Sequence, residues 1–279
     1  MENGGTKKAR ETLHYSPIIH PFSEFTSVSD IDNFDWADGS KNNNFQGLKE
    51  KARKLRNSTD YCLVSPPLSN TFEYTTFLFG LKKAMKLVRT NPDMIIRTME
   101  QLLKYWMDYA EHYLKEVGNN IDVICVNGDL ADQMGPLINP IIYVKHVKPL
   151  DQKFVNKIRT ISPNIHINYH SCGSIVEFLP HFADVGYAAI NPIQLSAFDM
   201  EPRSLKSRFG NHVCFWGGMC DSQSVLPFKS VKDVKKETKK NIETLKAGGG
   251  FVAASIHNIT AEVPPENIDQ MFRSALEYA

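Results

Sequence analysis

The residues best suited to chemistry are a histidine and a cysteine separated by a single residue, His170 and Cys172. The apolar run at 165–169 that precedes them is typical of a β-strand, in which alternate side chains point to the same side. We therefore expect an imidazole and a thiol within reach of one ion at the strand's C-terminal end. Zinc takes both ligand types, and catalytic zinc sites use three protein ligands and an open position. The alternative is a buried cysteine beside a hydrogen-bonded histidine.

A third ligand could come from another strand end. His257 lies just after the apolar run 251–254, close to the three glycines at 248–250. In a barrel of parallel strands, this end and that of His170 open on the same face. The alternative is a loop histidine that bonds to backbone. Cys220 also lies past a strand end and is the reserve ligand.

Polar residues follow the apolar run 121–126 as well. Asp129, Asp132 and Gln133 could orient a substrate, or one of them could act as a general acid or base. The competing interpretation is turn formation, since Asn127-Gly128-Asp129 is a turn-forming string.

A second pair of polar residues, Asp221 and Gln223, follows Gly217 and Gly218. The same two interpretations apply to this pair, namely a role toward substrate or turn formation. The glycines do not match a dinucleotide-binding or P-loop fingerprint in order or spacing. We interpret them as positions for tight turns or for the close approach of a ligand.

Strands and helices alternate along the chain, which predicts an α/β fold with a parallel sheet. Helical periodicity is strongest at 95–117, and Ser174 to Glu177 has the sequence of a capping box. The interpretation is one TIM (β/α)8-type barrel domain over 1–279, with an irregular segment at 1–43. Either that segment supplies two missing strands or the barrel is incomplete, and an open six-stranded sheet is the alternative. The six predicted strands are 61–64, 121–126, 165–169, 187–190, 213–216 and 251–254.

The bulk composition excludes several classes of protein. A formal charge of +1 over 279 residues gives no global case for binding nucleic acid, and the lysines at 229–240 are interpreted as the exposed face of a helix. No apolar run approaches the ~18 residues of a membrane span, and the N-terminus lacks the apolar region of an export signal. Five cysteines, mostly in strand-like runs, do not predict a disulfide framework. We therefore expect a cytoplasmic location.

From about residue 120 to the end, the chain resembles the uroporphyrinogen decarboxylase superfamily, most of all its corrinoid-dependent methyltransferase branch. The strings that carry the resemblance are Gly128-Asp129-Leu130-Ala131-Asp132-Gln133-Met134-Gly135-Pro136-Leu137, His170-Ser171-Cys172-Gly173-Ser174, Asn191-Pro192-Ile193-Gln194, Trp216-Gly217-Gly218, and His257-Asn258-Ile259 with Val263-Pro264-Pro265-Glu266-Asn267.

The resemblance implies a TIM barrel and, in the methyltransferase branch, a zinc ion held by a His-x-Cys pair and a distant cysteine. The pair matches His170 and Cys172, and the distant cysteine position falls on His257. The chain departs from the family in two places. Its Gly-Gly-x-Asp string has an extra residue before Asp221, and the decarboxylases' arginine-containing segment has no counterpart in residues 1–40.

The resemblance implies a zinc-dependent enzyme that transfers a methyl group between a corrinoid, carried by a partner protein, and a small thiol or methylated substrate. The resemblance implies that Asp129 and Gln133 position the substrate, and by analogy a homodimer is expected. The first alternative is a metal-free enzyme that decarboxylates a tetrapyrrole, and the second is a non-catalytic barrel that binds a ligand or partner. The residues expected to contact substrate are Asn191, Gln194, Gly217, Gly218, Asp221 and Gln223.

Overall fold

The computed structural model of the chain describes residues 6–7, 16–41, 45–69 and 71–278. Its strands are β1 Thr6–Lys7, β2 Ser16–Pro17, β3 Val64–Pro67, β4 Val123–Asn127, β5 His166–His170, β6 Ala189–Asn191, β7 Cys214–Trp216 and β8 Phe251–Val252. Its α-helices are α1 Val28–Asp32, α2 Leu48–Ser58, α3 Phe72–Phe79, α4 Leu81–Thr90, α5 Pro92–Val117, α6 Pro140–Ile142, α7 Lys148–Ile161, α8 Leu179–Val185, α9 Pro202–Phe209, α10 Val231–Leu245 and α11 Pro265–Tyr278. A π-helical turn, Tyr143–Val147, connects α6 to α7.

The chain forms two compact units. The first comprises Met1–Gly128 and Ile141–Ile165, and it contains the parallel pair of β3 and β4. Its longest element, α5, confirms the strongest helical periodicity of the sequence. The helix begins at Pro92, whose missing N–H is harmless in a first turn. It buries residues such as Met94, Met99 and Leu103.

The second unit comprises Asp129–Pro140 and His166–Ala279, and it contains the candidate site. Within it, β5 pairs with β6, β6 with β7 and β7 with β8, and all three pairs are parallel. Tyr169 of β5 stacks on Tyr187 with ring centroids 4.4 Å apart, and Phe182 of α8 packs against both rings. Neighbouring residues of a strand point to opposite faces, so Tyr169 and His170 lie on different faces of β5. The aromatic cluster therefore packs against the face of β5 opposite to His170.

Parallel strand pairs that alternate with helices confirm the predicted α/β class of the TIM-barrel type. The described residues supply six of the eight parallel strands that a closed barrel requires, as the sequence predicted. The described part of the predicted irregular segment, residues 6–7 and 16–41, contains an antiparallel pair and α1, while 1–5, 8–15 and 42–43 lie outside the described residues. The prediction of a single domain stays a prediction. None of the helices in the described ranges is long and apolar enough to cross a membrane.

The ends of five predicted strands differ from the observed ones by one or two residues, and two other predictions differ by more. The strand predicted at 61–64 lies at Val64–Pro67 instead. We expected its two prolines to end the strand, but prolines, which lack an N–H, are tolerated in a strand at the edge of a sheet. The capping box at Ser174 to Glu177 does not start a helix. α8 begins at Leu179, since Pro180 fits the first turn of a helix and disrupts its interior.

Candidate metal centre

His170 and Cys172 lie together, as their spacing predicted. His170 is the last residue of β5 and Cys172 follows two residues later, both half-buried. The N–H of Ser171, between them, donates to the Asn191 carbonyl at 2.8 Å and continues the pairing with β6. Because this bond keeps the chain extended past the strand end, both side chains project to one side. The His170 Nε2 and Cys172 Sγ atoms are 3.5 Å apart.

His257 completes a cluster with this pair. The ligand atoms of His170, Cys172 and His257 all lie within 4.8 Å of one another, and the two imidazole centroids are 5.6 Å apart. His257 has a left-handed backbone with φ of +58°, which is uncommon for a residue with a side chain. Residues in such conformations cluster at functional sites. His257 is exposed, so the cluster opens to solvent on its side.

A hydrogen-bonded chain fixes the orientation of His170. The Asn191 Nδ2 atom donates to the Trp216 carbonyl at 3.2 Å, so the Oδ1 atom of this amide faces His170. His170 Nδ1 lies 2.7 Å from that oxygen and must donate a proton to it. The neutral imidazole then presents an unprotonated Nε2 toward Cys172. Such outer partners are typical of histidines that bind metals.

The loop that carries Cys172 is held by two side chains. The Asp129 carboxylate accepts from the Cys172 N–H and the Gln194 amide oxygen accepts from the Gly173 N–H, each at 2.8 Å. Gly173 has a φ of +86°, and a Cβ there would lie 2.4 Å from the Asp132 carbonyl oxygen. Only glycine fits this position. Asp129 and Gln194 therefore position the thiol through its backbone.

The other predicted residues of the first loop are engaged in local structure. Asp132 Oδ1 accepts from the N–H groups of Met134 at 2.7 Å and Gly135 at 3.1 Å, which is the turn chemistry considered as the alternative. The backbone carbonyl of Gln133 accepts from the Phe198 N–H at 2.8 Å, while the side chain is half-buried.

The glycine pair of the β7 loop lies near the site, with its backbone close to neighbouring segments. A Cβ on Gly217 would lie 3.1 Å from the Ser255 carbonyl and 3.6 Å from Asn191 Nδ2, and a Cβ on Gly218 would lie 3.1 Å from the Ile193 side chain. Both glycines have positive φ values. The positive φ values agree with the tight turn that the sequence suggested, whereas the atoms close to both glycines belong to neighbouring segments of the chain. The close approach of a ligand stays a prediction.

The residues that follow this loop are placed differently. The Asp221 carboxylate accepts from the Gln223 N–H at 2.8 Å and binds Ser224, so it stabilises a turn, and Gln223 is exposed. Cys220, the reserve ligand, is fully buried outside the cluster. Burial, reinforced by the Glu237 carboxylate, raises the pKa of its thiol to about 12.

The His170–Cys172 pair has the spacing of two ligands on a tetrahedral zinc ion, and His257 has a ligand atom within 4.8 Å of both. Zn–N and Zn–S bonds of about 2.05 and 2.3 Å place a nitrogen and a sulfur ligand about 3.6 Å apart. The observed distance of 3.5 Å between His170 Nε2 and Cys172 Sγ matches this value. Imidazole and thiolate donors suit zinc, and three of them leave a fourth position for a substrate. His170, Cys172 and His257 could therefore hold a zinc ion.

Comparison with known proteins agrees with this architecture. Residues 17–278 match the sequence model of the uroporphyrinogen decarboxylase (URO-D) family. The chain belongs to this family.

The URO-D chain is also similar in fold to a solved methyltransferase from Methanosarcina mazei, with a TM-score of 0.65 and 20% sequence identity. The similarity covers 84% of this chain and 63% of the methyltransferase, so the chain spans less than two thirds of that protein's length. A search of curated proteins found no match.

Proposed function

We propose that this URO-D family member is a zinc-dependent methyltransferase that works with a corrinoid carried by a partner protein. The observation that carries the proposal is the cluster of His170, Cys172 and His257, which opens to solvent. Its donor set suits zinc, and the distance between its His170 and Cys172 ligand atoms matches a zinc site. The fold it shares with a methanogen methyltransferase supports transfer of a methyl group. Its small-molecule partner would be a thiol or a methylated compound.

Each ligand has a defined task in this proposal. His170 offers Nε2 because its Nδ1 proton is committed to Asn191. Cys172 offers a thiolate, and its backbone is fixed by Asp129. His257 supplies the third donor from the solvent side. Zinc bound there would favour the thiolate form of a coordinated thiol, which is a nucleophile. Attack of that thiolate on the methyl carbon of a methylcorrinoid would form the S–C bond while the Co–C bond breaks, and the corrinoid would leave with the electron pair as Co(I).

Other residues would shape the space around the open position. We assign Asp129 and Gln133 to substrate positioning, Asp129 through its hold on the Cys172 loop. The remaining residues proposed to line the substrate are Asn191, Gln194, Gly217, Gly218, Asp221 and Gln223. Asn191 has the clearest structural task, since it connects His170 to β7.

The partners and location follow from the same proposal. A corrinoid protein would present the methyl group at the exposed side of His257, and a homodimer is proposed by analogy with the family. All five cysteines are free thiols, which supports a reducing cytoplasm.

The decisive experiment combines metal analysis with a transfer assay. Protein produced with zinc and then dialysed is expected to retain close to one zinc per chain. His170→Ala and Cys172→Ala should each lose it. The transfer assay uses methylcobalamin and 2-mercaptoethanol, with the thioether detected by mass spectrometry, and the reverse reaction is followed by cobalamin absorbance. Cys214→Ala is the matched control, since Cys214 lies outside the cluster.

The competing functions give different results. A chain without zinc, in which Cys172→Ala keeps full methyl-transfer activity, would refute the mechanism. Decarboxylation of uroporphyrinogen that is unaffected by Cys172→Ser would indicate the metal-free alternative. Zinc retention without turnover in either assay would indicate a binding protein.

A further inference from the structure

A cluster of positive charge lies away from the metal centre, between α9 and α10. The two helices border a cleft of about 600 Å³. Six of its lining side chains are charged, and only Glu243 among them is negative; the positive ones are Arg203, Lys206, Lys236, Lys239 and Lys240. A second cleft of about 710 Å³ shares Lys236 and Lys240, but the carboxylates of Asp233 and Glu237 line it as well, so the excess of positive charge belongs to the first cleft.

Three of these cations make no direct contact with an opposite charge, and the Asp233 and Glu237 carboxylates interact with Lys236 and Lys240 only at longer range. Within the described part of the chain, Arg203, Lys236 and Lys240 make no ion pair within 4.0 Å and no side-chain hydrogen bond, and all three are exposed. By contrast, Lys206 donates to the Gly249 carbonyl, and Lys239 lies 3.8 Å from Glu243. The uncommitted cations therefore concentrate on one cleft.

The excess charge is local. The whole chain carries a formal charge of only +1, so the cleft is not part of a generally basic surface. Like charges held on two packed helices repel one another, and an anion between them removes that repulsion. The guanidinium of Arg203 adds a planar donor that binds phosphate through two hydrogen bonds.

We propose that this cleft binds a small molecule that carries several phosphate groups. A volume of about 600 Å³ lies within the ~300–1,000 Å³ typical of small-molecule sites. The hydroxyl groups of Ser207 and Thr244 also line the cleft but donate to the Ser204 and Lys240 carbonyls at 3.0 and 2.8 Å, so the cations are the donors that hold the ligand. Arg203 and Lys236 reach the ligand from opposite helices, and Lys240 adds a third positive charge from α10. This inference is independent of the function proposed for the metal centre.

The test titrates inorganic tripolyphosphate into the full chain and follows binding by calorimetry. The triple variant Arg203→Gln/Lys236→Gln/Lys240→Gln should lose at least about tenfold in affinity. The control Lys49→Gln/Lys51→Gln/Lys54→Gln makes the same change of net charge on α2, where only Ala52 is buried, and should keep the affinity within about threefold. Zinc content should be the same in both variants.

Two further ligands separate the outcomes. Tighter binding of ATP than of tripolyphosphate would support the proposal and identify a nucleotide as the source of the phosphates. Equal or weaker binding of ATP would support a phosphate chain alone. A hexaglutamate peptide that outcompetes both would overturn the proposal in favour of an acidic protein partner. Equal losses in the two triple variants, or no binding of tripolyphosphate, would also overturn it.

Discussion

Asn191 is expected to control metal affinity without touching the metal. Its Oδ1 atom accepts from His170 Nδ1 at 2.7 Å, and its Nδ2 atom donates to the Trp216 carbonyl at 3.2 Å. Asn191→Leu keeps the approximate volume but removes both bonds. The imidazole can then rotate, and its neutral form can carry the proton on Nε2, the nitrogen that the metal requires. Loss of such outer partners weakens metal binding by about 10–100-fold, or about 1.4–2.7 kcal/mol.

The assay is a competition titration of zinc against a chromophoric chelator at pH 7.5. Asn191→Leu should weaken binding within that range, whereas Asn191→Asp, which keeps an acceptor for His170, should restore affinity to within about fivefold of the unaltered chain. Asn211→Leu, an exposed position in the turn before β7, is the matched control and should have no effect. Cobalt(II) spectra should keep the thiolate charge-transfer band in every variant, because Cys172 is unchanged.

Two results would refute this reasoning. Zinc affinity in Asn191→Leu equal to that of the unaltered chain would show that the amide does not orient His170. A loss of affinity that Asn191→Asp fails to restore, accompanied by an equal loss of stability in the metal-free protein, would assign Asn191 a structural role alone. Thermal unfolding of the metal-free variants separates these cases.

Three further predictions concern residues of the same unit. His257→Cys should retain zinc and bind it more tightly in a chelator titration, since a second thiolate replaces a neutral donor; weaker binding would contradict this placement of the third ligand. Gly173→Ala should destabilise the protein by more than about 2 kcal/mol in denaturant unfolding, because its Cβ would lie 2.4 Å from the Asp132 carbonyl oxygen; an unchanged midpoint would contradict the contact. Burial raises the pKa of Cys220 from its ordinary value near 9 to about 12, so the unfolded chain releases this proton first as pH rises. The free energy of unfolding should therefore fall between pH 9 and 12 by up to about 1.4 kcal/mol per pH unit, and Cys220→Ala should remove that slope.

The sequence predicted those parts of the fold that depend on local patterns. The 3.6-residue periodicity of α5 and the proline at its start need no distant partner to be recognised. The helix start predicted from the capping box at Ser174 was wrong, because these residues permit a helix to start but do not enforce it. Pro180 is the stronger signal, since proline favours the first turn of a helix. The strand at Val64–Pro67 was displaced because its place at a sheet edge, which makes prolines acceptable, is a tertiary property.

In the candidate site too, the sequence predicted the features that depend on local patterns and missed those that depend on tertiary structure. The alternation of a strand placed His170 and Cys172 together, and the common face of a barrel suggested His257. The role of Asn191 could not be predicted, because it depends on the register that pairs His170 with Asn191 across two strands. One feature of the sequence could have indicated this role: Asn191 ends the strand that follows β5 along the chain, as His170 ends β5. Asp129 was expected to contact substrate, yet its observed bond is to the Cys172 backbone.

The identity of the third ligand has a consequence for the chemistry of the site. In the proposed function, a zinc ion held by His170, His257 and the Cys172 thiolate would have a net charge of +1, whereas two thiolates and one histidine would give a neutral centre. A positive centre attracts an anionic ligand at its open position, and binding of one thiolate then makes it neutral. The pKa of an acceptor thiol should therefore fall further at this site than at one with two cysteines. The exposed side of His257 is where such a ligand can enter without rearranging the half-buried pair. If zinc binds as proposed, a histidine at position 257 would favour activation of the acceptor thiol and would lower the affinity for the metal.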